Sequence, residues 1–451
     1  MASASSLCLK GQVWTPQGPV DGGWVLVEGG VISAVGGPHD PPPGGEGAPS
    51  LGGREDLVIL PGFIDLHLHG FGDHGFLGPP DLLPEALDGA SKALPVSGVT
   101  CFLAGWTGLD PAEALRFVEA AAPCVKPQGQ RRSGGAALTP CSEGGSGSRR
   151  FPPAPPPPAG PPRAHLAGLY LEGPWLALPG PVQGGTRDDR RPGRPAAPGG
   201  RQPWAASPLE AARLAESLLE RAQSRLRVVT ISPELPGPRA VIPLLARAGV
   251  VVAIGHTRAS YEACREAAEA GATHVTHGFN RMSPWHHRRP GPVGAALLDP
   301  RLRVEVVPDG IHLHPAAVEL AWRAKGRGGL VAVSDQVGAG TGLGVGEAPP
   351  GVPGARLWHA DGGRAAWRTP TGALLAGATP ANRLLQWLWT QTPIPRQESL
   401  EFLTLNPARI LGLEGRKGEI SPGRDADLVV LDEGFTVRLT LVGGRVAYAL
   451  G

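Results

Sequence analysis

Nowhere in the 451 residues do eighteen apolar residues follow one another, and Met1 to Lys10 lacks a basic start leading into an apolar run. The first absence excludes a membrane-spanning helix read from hydropathy and the second argues against a secretory leader, so a cytoplasmic protein is expected. The five cysteines (Cys8, Cys101, Cys124, Cys141, Cys264) are odd in number and form no C-x-x-C pair. That spacing speaks against a disulfide framework or a structural zinc site and fits a reducing compartment. A formal net charge of +2 leaves no broad electrostatic footprint. Neither nucleic acid nor a membrane is therefore expected as a partner, whereas a small molecule with a local charge, such as a phosphate, is. Lysine occurs only at positions 10, 92, 126, 325 and 417, so each can be inspected as a metal ligand.

What the chain has in excess is 67 Gly and 51 Pro, far above ordinary usage. They concentrate in residues 126–162, where Phe151 to Pro162 is almost wholly Pro and Ala, and in 186–203. Neither stretch has an apolar period that could bury a core, so both are expected to be flexible insertions. The rest has a globular balance, with 41% hydrophobic and 18% charged residues. The length suits a barrel of about 250 to 400 residues with a small appendage.

Both ends of the chain read as β-structure. Leu7 to Gly36 is Val-rich and broken by Gly pairs, and Gly418 to Ile420, Ala426 to Leu431 and Thr436 to Val446 are short strand-like runs. Residues 1–60 and 412–451 are expected to form one small β-sandwich domain around a central unit at 61–411. In that unit eight apolar runs alternate with helical stretches: Gly62 to His67, Val99 to Gly105, Ala167 to Glu172, Val228 to Ser232, Val251 to His256, Val275 to Phe279, Val304 to Val307 and Leu330 to Asp335. The clearest helices are Pro208 to Ala222, Ser260 to Ala270 and Pro315 to Lys325, with Ser or Pro at their starts. Eight strands joined by helical crossovers predict an α/β fold, a (β/α)8 TIM-type barrel.

Active sites of such barrels are built at the carboxyl ends of the strands. Here His67 and His69 close strand one, Glu172 closes strand three, His256 closes strand five, His277 lies in strand six and Asp335 closes strand eight. Alternate residues of a strand share a face, so both histidines of H-L-H can point inward. Taken alone, that pair is also what two ordinary polar residues at a strand exit look like. A lone half-buried His more often just satisfies a hydrogen bond. The five ends together are a different matter: imidazoles and carboxylates in this order suit Zn²⁺ or a related transition metal.

The segment Pro61-Gly62-Phe63-Ile64-Asp65-Leu66-His67-Leu68-His69-Gly70 resembles the opening strand of the amidohydrolase superfamily. Leu171-Glu172-Gly173-Pro174, Ile254-Gly255-His256-Thr257, Thr276-His277-Gly278-Phe279-Asn280-Arg281-Met282 and Asp309-Gly310-Ile311-His312 are similar to segments of N-acetylglucosamine-6-phosphate deacetylases. So is the ending from Asn406-Pro407-Ala408 through Gly423-Arg424-Asp425-Ala426-Asp427-Leu428-Val429. The resemblance implies Glu172, His256 and His277 as principal metal ligands and Asp335 as the catalytic carboxylate. Neither Lys92 nor Lys325 stands at a strand end to be carbamylated, which leaves Glu172 as the anionic ligand. Some members replace the H-x-H histidines and keep one metal. This chain retains both, so a second ion at His67 and His69 is an option.

The resemblance also places Asn280 and Arg288 at a sugar phosphate, with His312 on the same side and Arg289 as a substitute for Arg288. Family members commonly form homodimers in which an arginine reaches the neighbour's site. Three departures stand out. Arg281 replaces the usual Ala beside the phosphate loop. Gly184-Gly185-Thr186-Arg187 occupies the stretch that carries the amide-carbonyl donor, leaving Arg187 or Gln183 for that role. Gln336 follows Asp335 where Ala is commoner. The implied reaction is metal-dependent hydrolysis of the N-acetyl group of N-acetylglucosamine 6-phosphate to glucosamine 6-phosphate and acetate. The ion would be Zn, with Fe, Mn or Co as alternatives, in a count of one or two. The rivals are another amidohydrolase, acting on a different acylated sugar or a cyclic amide, and a non-catalytic sugar-phosphate-binding barrel.

Overall fold

In the computed structural model the described residues are 6–40, 42, 50–52, 57–126, 160–177, 206–338 and 355–450. Most of both Pro/Gly-rich stretches, with Gln183 and Arg187, lies outside them. Eight parallel strands form one sheet in sequential order: β1 (Phe63–Asp65), β2 (Val99–Thr107), β3 (His165–Glu172), β4 (Leu226–Ile231), β5 (Val251–Ile254), β6 (Ala272–Val275), β7 (Arg303–Val306) and β8 (Leu330–Ala332). Seven helices cross between them: α1 (Leu83–Ala93), α2 (Pro111–Ala121), α3 (Pro208–Ala222), α4 (Pro236–Arg247), α5 (Tyr261–Ala270), α6 (Gly291–Leu298) and α7 (Pro315–Lys325). Helix ends follow local chemistry. Ser207 and Glu210 make a reciprocal cap ahead of α3 with Pro208 in its first turn, and Ser260 caps α5.

Strand alternation sorts the side chains. Phe102 and Ala104, Leu169 and Leu171, and Val304 and Val306 pack outward in the large core that includes the helices. Cys101, Leu103, Tyr170, Val228, Val307 and Val331 point inward, where Ala408 and Leu411 of the helix Leu405–Leu411 close the amino-terminal end. Burial on both faces is why these strands read as continuous apolar runs.

The edge strands β1 and β8 are not paired with each other along their lengths. The Phe402 and Leu403 carbonyls sit between them, accepting from Ala332 N–H at 2.9 Å and Ile64 N–H at 2.8 Å. Beyond the strand ends the two segments meet: Asp335 N–H donates to His67 O at 3.0 Å, and His69 N–H donates to Gln336 O at 2.8 Å. A three-stranded antiparallel sheet (Arg356–Ala360, Arg364–Arg368, Leu374–Gly377) that was not anticipated from sequence adds here. Gly377 N–H donates to Asp335 O at 2.7 Å, and Trp367 Nε1 donates to Val337 O at 2.6 Å.

The two chain ends share one eight-stranded sheet, in which Leu428–Leu431 pairs with Val58–Pro61 and that strand with Leu7–Thr15. Leu428 and Val430 face a core shared with Leu9, Val25 and Ile32, while Val429 and Leu431 face the large core. The expected strand at Gly418 to Ile420 does not form; instead Lys417 beside it is buried in an ion pair with Asp427 and lies 3.2 Å from Asp425. Gly62, at the joint, donates to Asp427 O at 2.8 Å. Removing one member of such a buried cluster leaves charges uncompensated. Lys417→Ala is therefore expected to lower unfolding stability by ~3–5 kcal/mol, read as a fall in the denaturant midpoint by tryptophan fluorescence. Arg239→Ala, which breaks an exposed pair with Glu266, should cost under ~1 kcal/mol.

Candidate metal centre

At the carboxyl ends of the strands six titratable side chains meet. Nε2 of His256 and Nε2 of His277 each lie 2.7 Å from Glu172 Oε1 and 3.1 Å from each other. Nε2 of His67 and Nε2 of His69 are 3.1 Å apart, and His69 Nε2 is 3.4 Å from Glu172 Oε2. Asp335 Oδ1 stands 3.6 Å from His69 Nε2 and 3.8 Å from His67 Nε2. Two triads thus share Glu172: His67, His69 and Glu172, and Glu172, His256 and His277. All are buried, Asp335 being the most accessible at 9%.

The backbone does the aiming. His256, His277 and Asp335 have φ of 49°, 27° and 48°, a left-handed conformation that costs of order 1–3 kcal/mol in a non-glycine residue. Each turn is held by a bond from a neighbouring strand or sheet. Ser232 Oγ donates to His256 O at 2.9 Å, His277 N–H donates to Glu305 Oε2 at 3.0 Å, and Gly377 secures Asp335. These turns also shorten the strands. β1 ends at Asp65, β5 at Ile254, β6 at Val275 and β8 at Ala332, so His67, His69, His256 and Asp335 follow their strands rather than close them, and His277 follows strand six rather than lying in it.

Charge favours a cation here. Burial works against a cationic imidazole, yet the Glu305 and Glu172 carboxylates outweigh it and hold His67 well above the usual range. The same burial at His69 is overcome by Asp335 and Glu172, which lift it to about 9. Burial would raise Glu172, but His256 and His277 draw it well below the usual carboxylate range. For Asp335, burial is outweighed by the His69 hydrogen bond and by His67 and His277, and the carboxyl is lowered. Three buried carboxylates (Glu172, Asp335, Glu305) therefore demand positive charge. Nε2 lone pairs converging on Glu172 are a donor set that fits a divalent ion in place of protons.

Of the other residues expected at the site, His312 reaches the cluster, with Nε2 3.8 Å from Asp335 Oδ2. Its Nδ1 lies 2.7 Å from Asp309 Oδ2; burial lowers its pKa, but Asp309 more than compensates, leaving it raised. Arg281 is half-buried, its Nη2 3.4 Å from Leu374 O, and its guanidinium feels Glu172 and Asp335. Asn280 is half-buried and turns Nδ2 toward Gly278 O at 3.4 Å. Arg288 is exposed on the loop after Met282 and makes no contact with the cluster; its N–H donates to His286 Nδ1 at 3.2 Å. His274 contacts Glu305 Oε1 at 3.0 Å through Nε2. Sequence reasoning missed Glu305, Tyr170, whose ring stacks on His67 at 4.4 Å, and Asp309. A lone acid within Val304 to Val307 was the available signal, since a buried carboxylate needs partners.

Residues 245–447 match the family model described as Amidohydrolase family. The chain is 30% identical over 459 residues to N-acetylglucosamine-6-phosphate deacetylase of Bacillus subtilis (strain 168), covering 99% of this chain and 98% of that one. It is 29% identical over 440 residues to N-acetylgalactosamine-6-phosphate deacetylase of Escherichia coli O157:H7, covering 96% and 97%. The solved N-acetyl-D-glucosamine-6-phosphate deacetylase of Mycobacterium smegmatis superposes with a TM-score of 0.75 at 28% identity, covering 98% of this chain and 100% of that one.

His256→Ala or His277→Ala should empty the Glu172 triad while leaving the fold intact, because each ring is aimed into the cluster by its backbone. Elemental analysis of the purified variants, alongside circular dichroism, checks this. Full metal stoichiometry in either variant would remove it as a ligand.

Proposed function

The chain belongs to the N-acetylglucosamine-6-phosphate deacetylase family of amidohydrolases, and on that premise we propose that it hydrolyses the N-acetyl amide of N-acetylglucosamine 6-phosphate to glucosamine 6-phosphate and acetate. The observation that carries this is the pair of His triads sharing Glu172, with Asp335 beside them. Glu172, His256 and His277 hold the principal divalent ion, and His67 and His69 with Glu172 a second. Imidazole and carboxylate donors favour zinc, with iron, manganese and cobalt as the alternatives that metal analysis separates. When bound, such an ion supplies Lewis acidity, lowering the pKa of water from 15.7 to about 7 and polarising a carbonyl.

The chain's own residues handle the protons and the sugar. Asp335, held ionised by its histidine neighbours, accepts a proton from the attacking water at a carboxylate oxygen. It then returns that proton to the departing amine, since an amide breaks only when its nitrogen leaves protonated. Such positioned transfer contributes ~10²–10⁴ in rate. His312, braced by Asp309, presents Nε2 next to Asp335 and is the donor for the sugar. Asn280 and Arg281 line the phosphate side, and Arg187 or Gln183 supplies the amide-carbonyl donor. Arg288, exposed and away from its own cluster, suits the phosphate of a neighbouring subunit in a homodimer, where its planar fork matches phosphate oxygens.

For the scaffold, we read the parallel sheet as a (β/α)8 barrel spanning 61–411, completed by the backbone bonds between His67, His69, Asp335 and Gln336. Residues 1–60 and 412–451 then form the small β-sandwich, supported by Gly423 N–H donating to Ile32 O at 2.8 Å, which brings its outer strand back to the chain's other end. Among the described residues no helix is long and apolar enough to cross a membrane. Because a sugar phosphate is charged and confined to the compartment that makes it, the cytoplasm is the setting we assign.

Acetate release from N-acetylglucosamine 6-phosphate, from its dephosphorylated form and from N-acetylgalactosamine 6-phosphate tests the substrate. Equal turnover without the phosphate would point to a different amidohydrolase, and preference for the galacto epimer would redirect the assignment to that sugar. Asp335→Asn keeps the shape and removes the proton acceptor, so kcat should fall by roughly 10²-fold or more with metal content and KM little changed. A variant that keeps its turnover and only raises KM makes Asp335 a binding residue and leaves Glu172 as the nearest alternative base.

A further inference from the structure

We infer that Glu305 is the positioning residue that joins the two ion sites from beneath, fixing the tautomer of His67 on one side and the backbone of His277 on the other. The inference rests on both triads being ion sites, but no step of the proposed chemistry uses Glu305.

Glu305 sits in β7 with its side chain on the inward face, between Val304 and Val306, which pack outward, and its exposure is 0%. A carboxylate buried that deeply persists only when its oxygens are matched by donors. Oε2 is 3.0 Å from His67 Nδ1 and accepts the His277 N–H at 3.0 Å, while Oε1 is 3.0 Å from His274 Nε2. One oxygen therefore grips one residue from each triad.

The consequence for His67 is chemical. With Nδ1 against a carboxylate, the neutral ring carries its proton there, which leaves the Nε2 lone pair facing His69 and Glu172. Stacking on Tyr170 at 4.4 Å fixes the ring plane. His69 has no such brace: its Nδ1 is buried without a hydrogen-bond partner among the described residues. Of the two Nδ1 atoms in the H-x-H pair, only that of His67 is braced by a hydrogen bond among the described residues, and the brace is Glu305. For His277 the support is conformational. Its Nδ1 also lacks a hydrogen-bond partner among the described residues, and the ring is aimed by a left-handed backbone whose amide bonds to Glu305. The Glu172, His256 and His277 site keeps two members that do not touch Glu305, and Ser232 holds His256 independently. Loss of Glu305 should therefore weaken the His67 and His69 site most.

The test is titration of the metal-stripped full chain with Co²⁺, followed by visible absorption and equilibrium dialysis, for the native protein and Glu305→Gln. The native chain should take two equivalents. In E305Q the first should bind with little change, and the second roughly 10–100-fold more weakly, the range seen when the partner of a ligating His is lost. His274→Asn, which removes the third partner of Glu305, should keep both. Native-like affinity for both ions in E305Q, or equal weakening of the two, overturns the inference. A native chain that takes a single equivalent removes the His67 and His69 site and this inference with it, while leaving the chemistry at Asp335 intact. If E305Q does not fold, ¹⁵N-histidine spectra of the zinc-loaded native chain decide instead. The signal missing in His67→Gln should report a protonated Nδ1, and a protonated Nε2 overturns the proposal.

Discussion

Oε1 of Glu172 lies 2.7 Å from two imidazole nitrogens, and Oε2 lies 3.4 Å from a third. One carboxylate at the end of β3 thus organises both triads. Removing that charge from water costs several kcal/mol in effective terms, and only opposite charge of good geometry offsets it. The surrounding histidines supply that charge as protons or by holding an ion, so the electrostatics of the whole mouth is set around this one side chain. Asp335 and Glu305 add to the same demand from β8 and β7. A scaffold of eight strands is what allows carboxylates from three separate strand segments to converge in a buried cluster.

Convergence also needs backbone that ordinary residues avoid. His256, His277 and Asp335 turn into the left-handed region immediately after their strands, and Phe279 and Arg281 follow with φ of 73° and 55°. A cluster of such turns is held by rigid neighbours: Ser232 under His256, Glu305 under His277, and the three-stranded antiparallel sheet behind Asp335. That sheet belongs to neither the eight parallel strands nor the terminal sheet, yet it secures the carbonyl of the residue assigned the proton chemistry.

The strands were legible because burial on both faces forces apolar runs, as in Val99–Thr107, and α3 and α7 run over the residues expected because Ser207, Pro208, His314 and Pro315 mark their starts. That these side chains would converge was legible because histidine and carboxylate at strand ends have few other uses in that order. The turns after the strands were not, since no residue type announces a left-handed His or Asp, and so the strand ends came out several residues late. Arg356–Ala360, largely exposed, gave no apolar alternation to read. Glu305 was hidden by its own neighbours, a single acid inside a valine run whose partners come from strands far away in the chain. Arg288 was legible as a cation but not as one that sits outside its own cluster.

The insertion of Phe402 and Leu403 between β1 and β8 has a mechanical side. The two edge strands of the parallel sheet are separated by a foreign loop rather than stitched strand to strand. The bonds that do join the two segments use the carbonyl of His67 and the amides of His69 and Asp335, backbone atoms of residues whose side chains converge on Glu172. An ion held by those side chains would therefore bear on both edges at once. Because a ligand that binds only the folded arrangement stabilises it, filling the site would also strengthen the join between the two edge strands.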